Sequence, residues 1–127
     1  MTNTVLDASA LLALFNTEKG ADLVAEALPG AFISTVNISE VVSRLSEAGI
    51  PEDSIRLSLD SLDIDIVPFD TGQAFLTGMM RANTRDAGLS LGDRACLSLG
   101  KSLDIEVLTA DRMWIGLDVG VKIKVIR

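Results

Sequence analysis

The chain has 127 residues, of which 48% are hydrophobic, and its formal net charge is −7. This length suits one domain with a single core, which we assign to residues 1–127, and the composition excludes a disordered chain. Histidine is absent and cysteine occurs once. Imidazole acid–base catalysis, histidine-ligated zinc and an internal disulfide are therefore excluded, and any bound metal must be a hard cation on oxygen ligands.

Nothing in the sequence indicates a membrane protein. The long apolar segment near the start, residues 8–15, is well short of the roughly 20 residues that a membrane-spanning helix needs. No basic segment precedes it, so no signal peptide is expected. The single cysteine, Cys96, fits a reducing compartment, and we expect a cytoplasmic protein.

The charge is unevenly distributed along the chain. Residues 1–70 contain 12 acidic and 3 basic residues, whereas residues 71–127 contain 6 acidic and 8 basic residues. The basic residues of the second half are Arg81, Arg85, Arg94, Lys101, Arg112, Lys122, Lys124 and Arg127. They form either a basic rim beside an acidic pocket or, as is commoner, a scatter of surface cations.

Strand and helix signals alternate through the first half. A short apolar run that ends at Asp7 predicts a buried strand, and the apolar segment after it predicts a helix. Apolar residues at helical spacing predict three further helices, over 21–28, 38–48 and 55–62. Short apolar runs predict strands at 31–35 and 64–69, and Pro68 places the second of these at a sheet edge or a strand end.

The same alternation continues in the second half. A helix capped by Asp70 or Thr71 is predicted with an inward face of small and apolar residues, namely Ala74, Phe75, Gly78, Met79 and Ala82. A polar loop is predicted at 83–90, a helix around 95–103, and strands at 106–109 and 121–125. Lysines alternate through the last strand, which is typical of a sheet edge. The whole pattern predicts an α/β fold, a three-layer α/β/α sandwich with a mainly parallel central sheet.

Four acidic residues fall where such a fold would bring them together. Asp7 ends the first strand, and Asp111 follows the strand 106–109 by two residues. Glu40 is predicted in the first turn of the helix after the second strand, and Asp93 opens the helix after the loop. The carboxyl ends of parallel strands meet at one sheet edge, where ligands bind. Because clustered carboxylates repel one another, a divalent cation would stabilise them.

Helix capping is the simpler interpretation of each acid taken alone. The stretches 37–40 and 90–93 both match a capping box, in which a polar N-cap precedes an acid by three residues. The acid of the first stretch also stands four residues before Arg44, a spacing that favours an ion pair. Asp7 and Asp111 are candidate N-caps. Capping and metal binding are compatible, because an anion in the first helical turn is favoured by the helix dipole.

Several other polar side chains accept two interpretations. Ser9 and Thr109 each stand two residues from a site acid, where a hydroxyl orients a ligating carboxylate or caps a turn. Asn37 has the same two roles open to it, with the N-cap favoured. Trp114, the only tryptophan, either stacks on a base or fills the core.

Four segments together resemble a known family. They are Val5–Ala13, Ser39–Val42, Leu91–Leu97 and Leu108–Arg112. In their order and spacing they resemble the motifs of PIN-domain ribonucleases, and most of all those of VapC toxins from bacterial type II toxin–antitoxin systems. The resemblance covers nearly the whole chain and rests on the ordered set, because no single motif is specific.

The resemblance implies a sheet of about five parallel strands, a homodimer, and Mg²⁺ or Mn²⁺ at the acidic pocket. It also implies cleavage of a structured RNA, either tRNA or rRNA. A cognate VapB antitoxin is expected to insert a segment into the groove and block the site.

The resemblance also assigns site residues. They are an acidic quartet and its accompanying hydroxyls: Asp7, Glu40, Asp93, Asp111, Ser9 and Thr109. The three aspartates would hold the metal, and Glu40 would bind or orient the attacking water. Some members carry one more acid after the fourth, but here Met113 stands there, leaving Asp118 as a substitute. Arg94 and Arg112 would hold substrate phosphate or balance the charge of the acids.

Two other functions stay open at this point. Acids at strand ends also serve phosphatases and phospho-acceptor domains, in which an aspartate is the nucleophile and a lysine usually lies nearby. Lys101 is the only lysine between Lys19 and Lys122. Alternatively, the four acids are only caps in a non-catalytic domain that binds a partner.

Overall fold

Five parallel strands form one sheet in the computed structural model, which describes residues 3–127. They are β1 (Thr4–Leu6), β2 (Ala31–Ser34), β3 (Asp65–Val67), β4 (Glu106–Thr109) and β5 (Ile123–Val125). Their order across the sheet is β3-β2-β1-β4-β5, and every neighbouring pair is parallel. The buried strand β1 is therefore central, and its end lies at the middle of the carboxyl edge.

Six α-helices connect and cover the strands within the described residues. They are α1 (Ala8–Phe15), α2 (Ala21–Ala27), α3 (Thr35–Glu47), α4 (Glu52–Asp60), α5 (Thr71–Asn83) and α6 (Leu91–Leu103). Short 3₁₀ turns occur at Leu28–Gly30, Arg85–Ala87 and Arg112–Trp114. No helix among residues 3–127 has both the length and the apolar character needed to cross a bilayer.

The central strands divide their side chains between two apolar cores. Leu6 and Leu108 belong to the core formed with α1 to α4, whereas Val5 and Val107 belong to the core formed with α5 and α6. This division follows from the period of two along a strand. Both faces of the sheet are covered, which confirms the predicted α/β/α sandwich.

The start of α3 differs from the sequence prediction. The helix begins at Thr35, directly after β2, and its N-cap is Ser34, whose hydroxyl accepts the Val36 N–H at 3.2 Å. The prediction that Asn37 is the N-cap is therefore wrong, and so is the placement of Glu40 in the first turn. Ser34 and Asn37 both suit an N-cap, and the strand ends early enough to use the first of them.

The predicted inward face of α5 is also wrong. Phe75 and Met79 are 69% and 73% exposed, whereas the buried residues of this helix are Thr77 and Met80. The Thr77 hydroxyl lies 2.6 Å from that of Ser98 on α6, so the two helices meet along a polar seam. The apolar stripe exists but faces outward. The predicted cap is correct, since Asp70 accepts the Gln73 N–H at 2.9 Å.

The two outer strands match their sequence signals. Pro68 directly follows β3, and exposed Lys122 and Lys124 flank the positions of β5 that face inward. Both strands lie at sheet edges, as predicted. Trp114 is 2% exposed and belongs to the core, which agrees with the second of its two interpretations.

Candidate functional site

Asp7 is held at the end of β1 by two hydroxyl groups. Its side chain is buried, and Oδ2 accepts hydrogen bonds from Ser9 at 2.6 Å and from Thr109 at 3.0 Å. Asp7 occupies the N-cap position of α1, but its side chain makes no capping hydrogen bond. The carboxylate is therefore oriented by β4 and the first turn of α1, and capping does not explain it.

The same hydroxyls tie Asp7 to the segment that carries Asp111. Ser9 Oγ accepts the Ala110 N–H at 2.9 Å, and Thr109 Oγ1 accepts the Asp111 N–H at 3.0 Å. Each hydroxyl thus accepts from the backbone and donates to Asp7. Asp7, Ser9, Thr109 and Asp111 form a hydrogen-bonded unit across two adjacent strands, which we call the strand cluster.

Glu40 and Asp93 reach the same edge from two helices. Asn37 Nδ2 donates to Glu40 Oε1 at 2.8 Å and to the Gly92 carbonyl at 3.0 Å. Asp93 forms the predicted capping box with Ser90, whose hydroxyl accepts the Asp93 N–H at 3.1 Å and whose N–H donates to Asp93 Oδ2 at 2.9 Å. We call these five residues the helix cluster.

All four acids share one pattern of hydrogen bonding. One oxygen of each accepts from the protein: Oδ2 of Asp7, Oε1 of Glu40, Oδ2 of Asp93 and Oδ1 of Asp111. The second oxygen of each has no donor among residues 3–127. Asp111 combines this with capping, because its bound oxygen accepts the Met113 N–H at 2.9 Å. Each acid is thus oriented through one oxygen and can offer the other to a ligand.

The two clusters share one electrostatic field. The pKa of Asp7 is raised from 3.8 to about 6, chiefly by burial and also by the carboxylates of Asp93 and Glu40, against the lowering effect of the two hydroxyl donors. Burial, together with the same three carboxylates, also holds the pKa of the Cys96 thiol well above its usual value. Cys96 is fully buried on α6, so the apolar core lies directly beneath the acids.

The acids suit a hard divalent cation by their chemistry. The donors are carboxylate oxygens, which Mg²⁺ and Mn²⁺ prefer, and like charges that repel one another are stabilised by a cation. No three His, Cys, Asp or Glu side chains within the described part of the chain are close enough to form a complete ligand set.

The two arginines predicted beside the site differ in their surroundings. Arg94 Nη1 donates to the Thr77 carbonyl at 3.0 Å, which joins this side chain to α5. Arg112 is exposed in the turn after Asp111. Glu40 bonds to Asn37, and no ion pair forms between Glu40 and Arg44 in residues 3–127, contrary to the spacing-based prediction.

Asp118 lies far from the four acids, at the opposite edge of the sheet. Asp118 lines a groove with Asn3 and Glu106, which precede β1 and begin β4, so it lies at the amino edge of the sheet. Lys101 lies in the last turn of α6, at that same edge. The suggestion that Asp118 is a substitute fifth acid is wrong, and the phospho-acceptor alternative loses the lysine that it requires near the acids.

Sequence reasoning did not single out Gly92. A Cβ atom at this position would overlap the carboxylate of Glu40. The requirement arises between two helices that are distant in sequence, so no local pattern could have indicated it.

Comparison with known proteins agrees with this geometry. The PIN domain model matches residues 4–119. The chain belongs to the PIN domain family. No significant relative is found among curated proteins. Membership of this family supports the assignment of a nuclease, that is, a hydrolase of phosphodiester bonds.

Solved structures of toxin–antitoxin complexes share the fold. A chain of the DNA-bound VapBC from Salmonella typhimurium superposes with a TM-score of 0.76 at 18% identity, covering 100% of both chains. A toxin–antitoxin complex from Klebsiella pneumoniae gives 0.73 at 22% identity, covering 94% of this chain and 95% of that one. VapBC-5 from Mycobacterium tuberculosis gives 0.65 at 22% identity, covering 100% and 99%. At these identities the likeness concerns the fold.

Proposed function

We propose that this PIN domain is a metal-dependent endoribonuclease and the toxin of a VapBC-type toxin–antitoxin system. The observation that carries the proposal is the shared state of the four acids, each oriented through one oxygen and free at the other. A site built only to cap helices would not need Asp7, whose side chain caps nothing. The proposal treats residues 1–127 as one domain acting in the cytoplasm.

The four acids would have two different roles, metal binding and orientation of the attacking water. Asp7, Asp93 and Asp111 would hold Mg²⁺ or Mn²⁺ through their free oxygens, directly or through water. When bound, the ion would supply Lewis acidity, which lowers the pKa of water and neutralises charge that develops on the phosphate. Glu40 would orient the attacking water with its free oxygen, while Ser9 and Thr109 keep Asp7 fixed.

We propose a structured RNA such as tRNA or rRNA as the substrate, because the sequence motifs resemble those of VapC toxins. Exposed Arg112, one residue from Asp111, is placed to bind a substrate phosphate. Arg94 is joined to α5 by its bond to the Thr77 carbonyl and forms no ion pair with Asp93 within residues 3–127, so we assign phosphate binding to Arg112.

A VapB-type antitoxin is the partner that we propose. The similar solved structures include VapBC complexes from several bacteria, and in this chain a groove opens beside Ser9, between α1 and α3. A segment of the antitoxin lying in that groove would reach Asp7 through Ser9. Blocking the free oxygens of the acids would then stop cleavage.

A homodimer through α5 accounts for the outward apolar stripe of that helix. Phe75, Leu76 and Met79 are 69%, 45% and 73% exposed, and contiguous exposed apolar residues commonly mark a protein interface. We expect Phe75→Glu to convert a dimer into a monomer in light scattering after size exclusion. Leu57→Glu, at a similarly exposed leucine of α4, is the matched control and should leave the dimer intact. A wild-type monomer would refute this part of the proposal.

The central test is cleavage of purified tRNA and rRNA by the wild type with Mn²⁺, with EDTA, and by the Asp93→Asn variant. Discrete fragments should form only with both the metal and Asp93. The variant should lose more than the roughly 10- to 100-fold typical of groups that merely support a metal ligand, and should remain folded. Full cleavage by Asp93→Asn, or in EDTA, would contradict the assignment.

A further inference from the structure

We propose that Asn37 and Gly92 are positioning residues that set the separation of the Glu40 and Asp93 carboxylates. They join α3 to α6, the two helices of the helix cluster, and the inference rests on the function proposed above. Neither residue would touch the metal or the RNA. Both act through Glu40, whose carboxylate lies between them.

Asn37 forms two hydrogen bonds, one within its own helix and one to a neighbouring helix. It is fully buried in the first turns of α3, and its amide nitrogen donates to Glu40 within the helix and to the Gly92 carbonyl of α6. Both partners can only accept, so the orientation of the amide is fixed by chemistry. One side chain thus connects the carboxylate of Glu40 to the residue directly before Asp93.

Asn37 is a poor choice for stability alone. Its Oδ1 atom is buried and has no hydrogen-bond partner within residues 3–127. Burial of an unpaired amide oxygen is unfavourable, and asparagine is a weak helix former. An apolar residue would suit a buried helix position better. We therefore attribute the role of this side chain to its two N–H donors, which bind Glu40 and the Gly92 carbonyl.

Gly92 provides the space that Glu40 needs. A Cβ atom at this position would lie 2.6 Å from the carboxyl carbon of Glu40 and closer still to one of its oxygens. The backbone of Gly92 is helical, so the lack of a side chain here allows the close approach of Glu40 and does not serve an unusual φ. The carboxylate thus rests against the backbone of α6 while Asn37 holds it from the side of α3.

The combination acts as a clamp with two independent contacts. Asn37→Ala removes the hydrogen bonds and frees Glu40 to rotate. Gly92→Ala keeps those donors but pushes the carboxylate away from α6. Both changes should alter the distance from Glu40 to Asp93, although the first removes a contact and the second adds one.

The test measures Mn²⁺ binding by calorimetry and RNA cleavage in the same samples, with thermal unfolding to verify folding. We expect Asn37→Ala and Gly92→Ala each to weaken Mn²⁺ affinity or cleavage by about 10- to 100-fold. Gly92→Ala should not lower the unfolding temperature as much as a core clash would, because alanine favours the helix. If Asn37→Ala fails to fold, Gly92→Ala still decides the question.

Two matched controls separate positioning from general damage. Ser34→Ala removes the N-cap of the same helix α3, and Gly72→Ala adds a methyl group to the exposed first turn of helix α5, at an ordinary contact distance of 3.5 Å from Asp70 Oδ1. Both should retain wild-type Mn²⁺ affinity and cleavage at temperatures where they are folded.

The outcomes distinguish the two proposals. If the wild type binds Mn²⁺ and cleaves RNA while Asn37→Ala and Gly92→Ala behave like their controls, the clamp is refuted and the nuclease stands. If the wild type neither binds nor cleaves, the proposed function fails and the clamp fails with it. Loss confined to the two clamp variants supports both.

Discussion

The strand cluster and the helix cluster hold equivalent acids by different means. Asp7 and Asp111 are fixed by hydroxyls of β4 and of the first turn of α1, just beyond the paired strand residues Leu6 and Leu108. Glu40 and Asp93 are fixed by one amide and by a helix cap. The first arrangement joins the ends of two paired strands of the sheet, and the second lies within and between two helices outside the sheet. Changes in the strand cluster should therefore affect stability and activity together, whereas changes in the helix cluster should mainly affect activity.

Asp7→Asn should give the largest effect and should separate stability from activity. The folded pKa of Asp7 is about 6 against 3.8 for the free side chain, so between these values the folded protein keeps a proton that the unfolded chain has lost. Wild-type stability contributed by this group consequently falls as the pH rises through about 6. Asparagine carries no charge, so it avoids the unfavourable burial of an ionised carboxylate. The variant should therefore gain as much as about 3 kcal/mol in free energy of unfolding at pH 8, while losing cleavage.

The measurement is chemical denaturation of both proteins from pH 4 to pH 8 without divalent metal. The gain should be near zero at the acid end and grow with pH. Asp65→Asn, at an exposed position of β3, is the control and should show no such trend. A gain that does not vary with pH would refute the assignment of the shift to burial of Asp7.

Thr109→Val should lower both the stability of the protein and its cleavage activity. The substitution preserves shape but removes the donor to Asp7 and the acceptor for the Asp111 N–H, at a cost of about 1–3 kcal/mol. Thr77→Val removes an equally buried hydroxyl in the seam between α5 and α6, away from the acids. Denaturant unfolding should show a similar loss for both variants, whereas cleavage should fall only for Thr109→Val. Equal cleavage by the two would show that Thr109 is merely structural.

Ser90→Ala should give the smallest change in stability. It removes the acceptor for the Asp93 N–H from the capping box, worth about 1 kcal/mol. Asp70→Ala removes a comparable cap from α5 and is the control. Because the Ser90 hydroxyl holds the backbone N–H of Asp93, its loss loosens the turn that carries this carboxylate, and we expect weaker Mn²⁺ binding in the first variant and unchanged binding in the second. A loss of Mn²⁺ affinity in both would assign the effect to helix fraying.

The strand cluster could be predicted because its positions follow from the chain itself. A short apolar run ending in Asp7 and another ending in Thr109 indicate parallel strands, and such strands end at one edge. The α/β/α class and the edge position of β5 follow from similar signals, and the family model agrees with the order of the motifs. The assignment of these acids to a metal remains a prediction.

The helix cluster was only partly predictable because its contacts are tertiary. Sequence spacing correctly indicated the capping box at Ser90 but misplaced the start of α3, since two residues three apart were both suitable caps. The contact between Gly92 and Glu40 has no local signal at all. On α5, periodicity identified an apolar stripe correctly. It could not predict that the helix would instead bury the face that contains Thr77.

The burial of Trp114 gives this protein a built-in optical probe. It is the only tryptophan, and the chain contains no tyrosine, so near-ultraviolet emission reports on this one indole. The indole lies in the 3₁₀ turn that Asp111 caps, three residues beyond that carboxylate. Any ligand that draws Asp111 inward must shift this turn. Fluorescence of the unlabelled protein should therefore follow occupation of the acidic edge in real time.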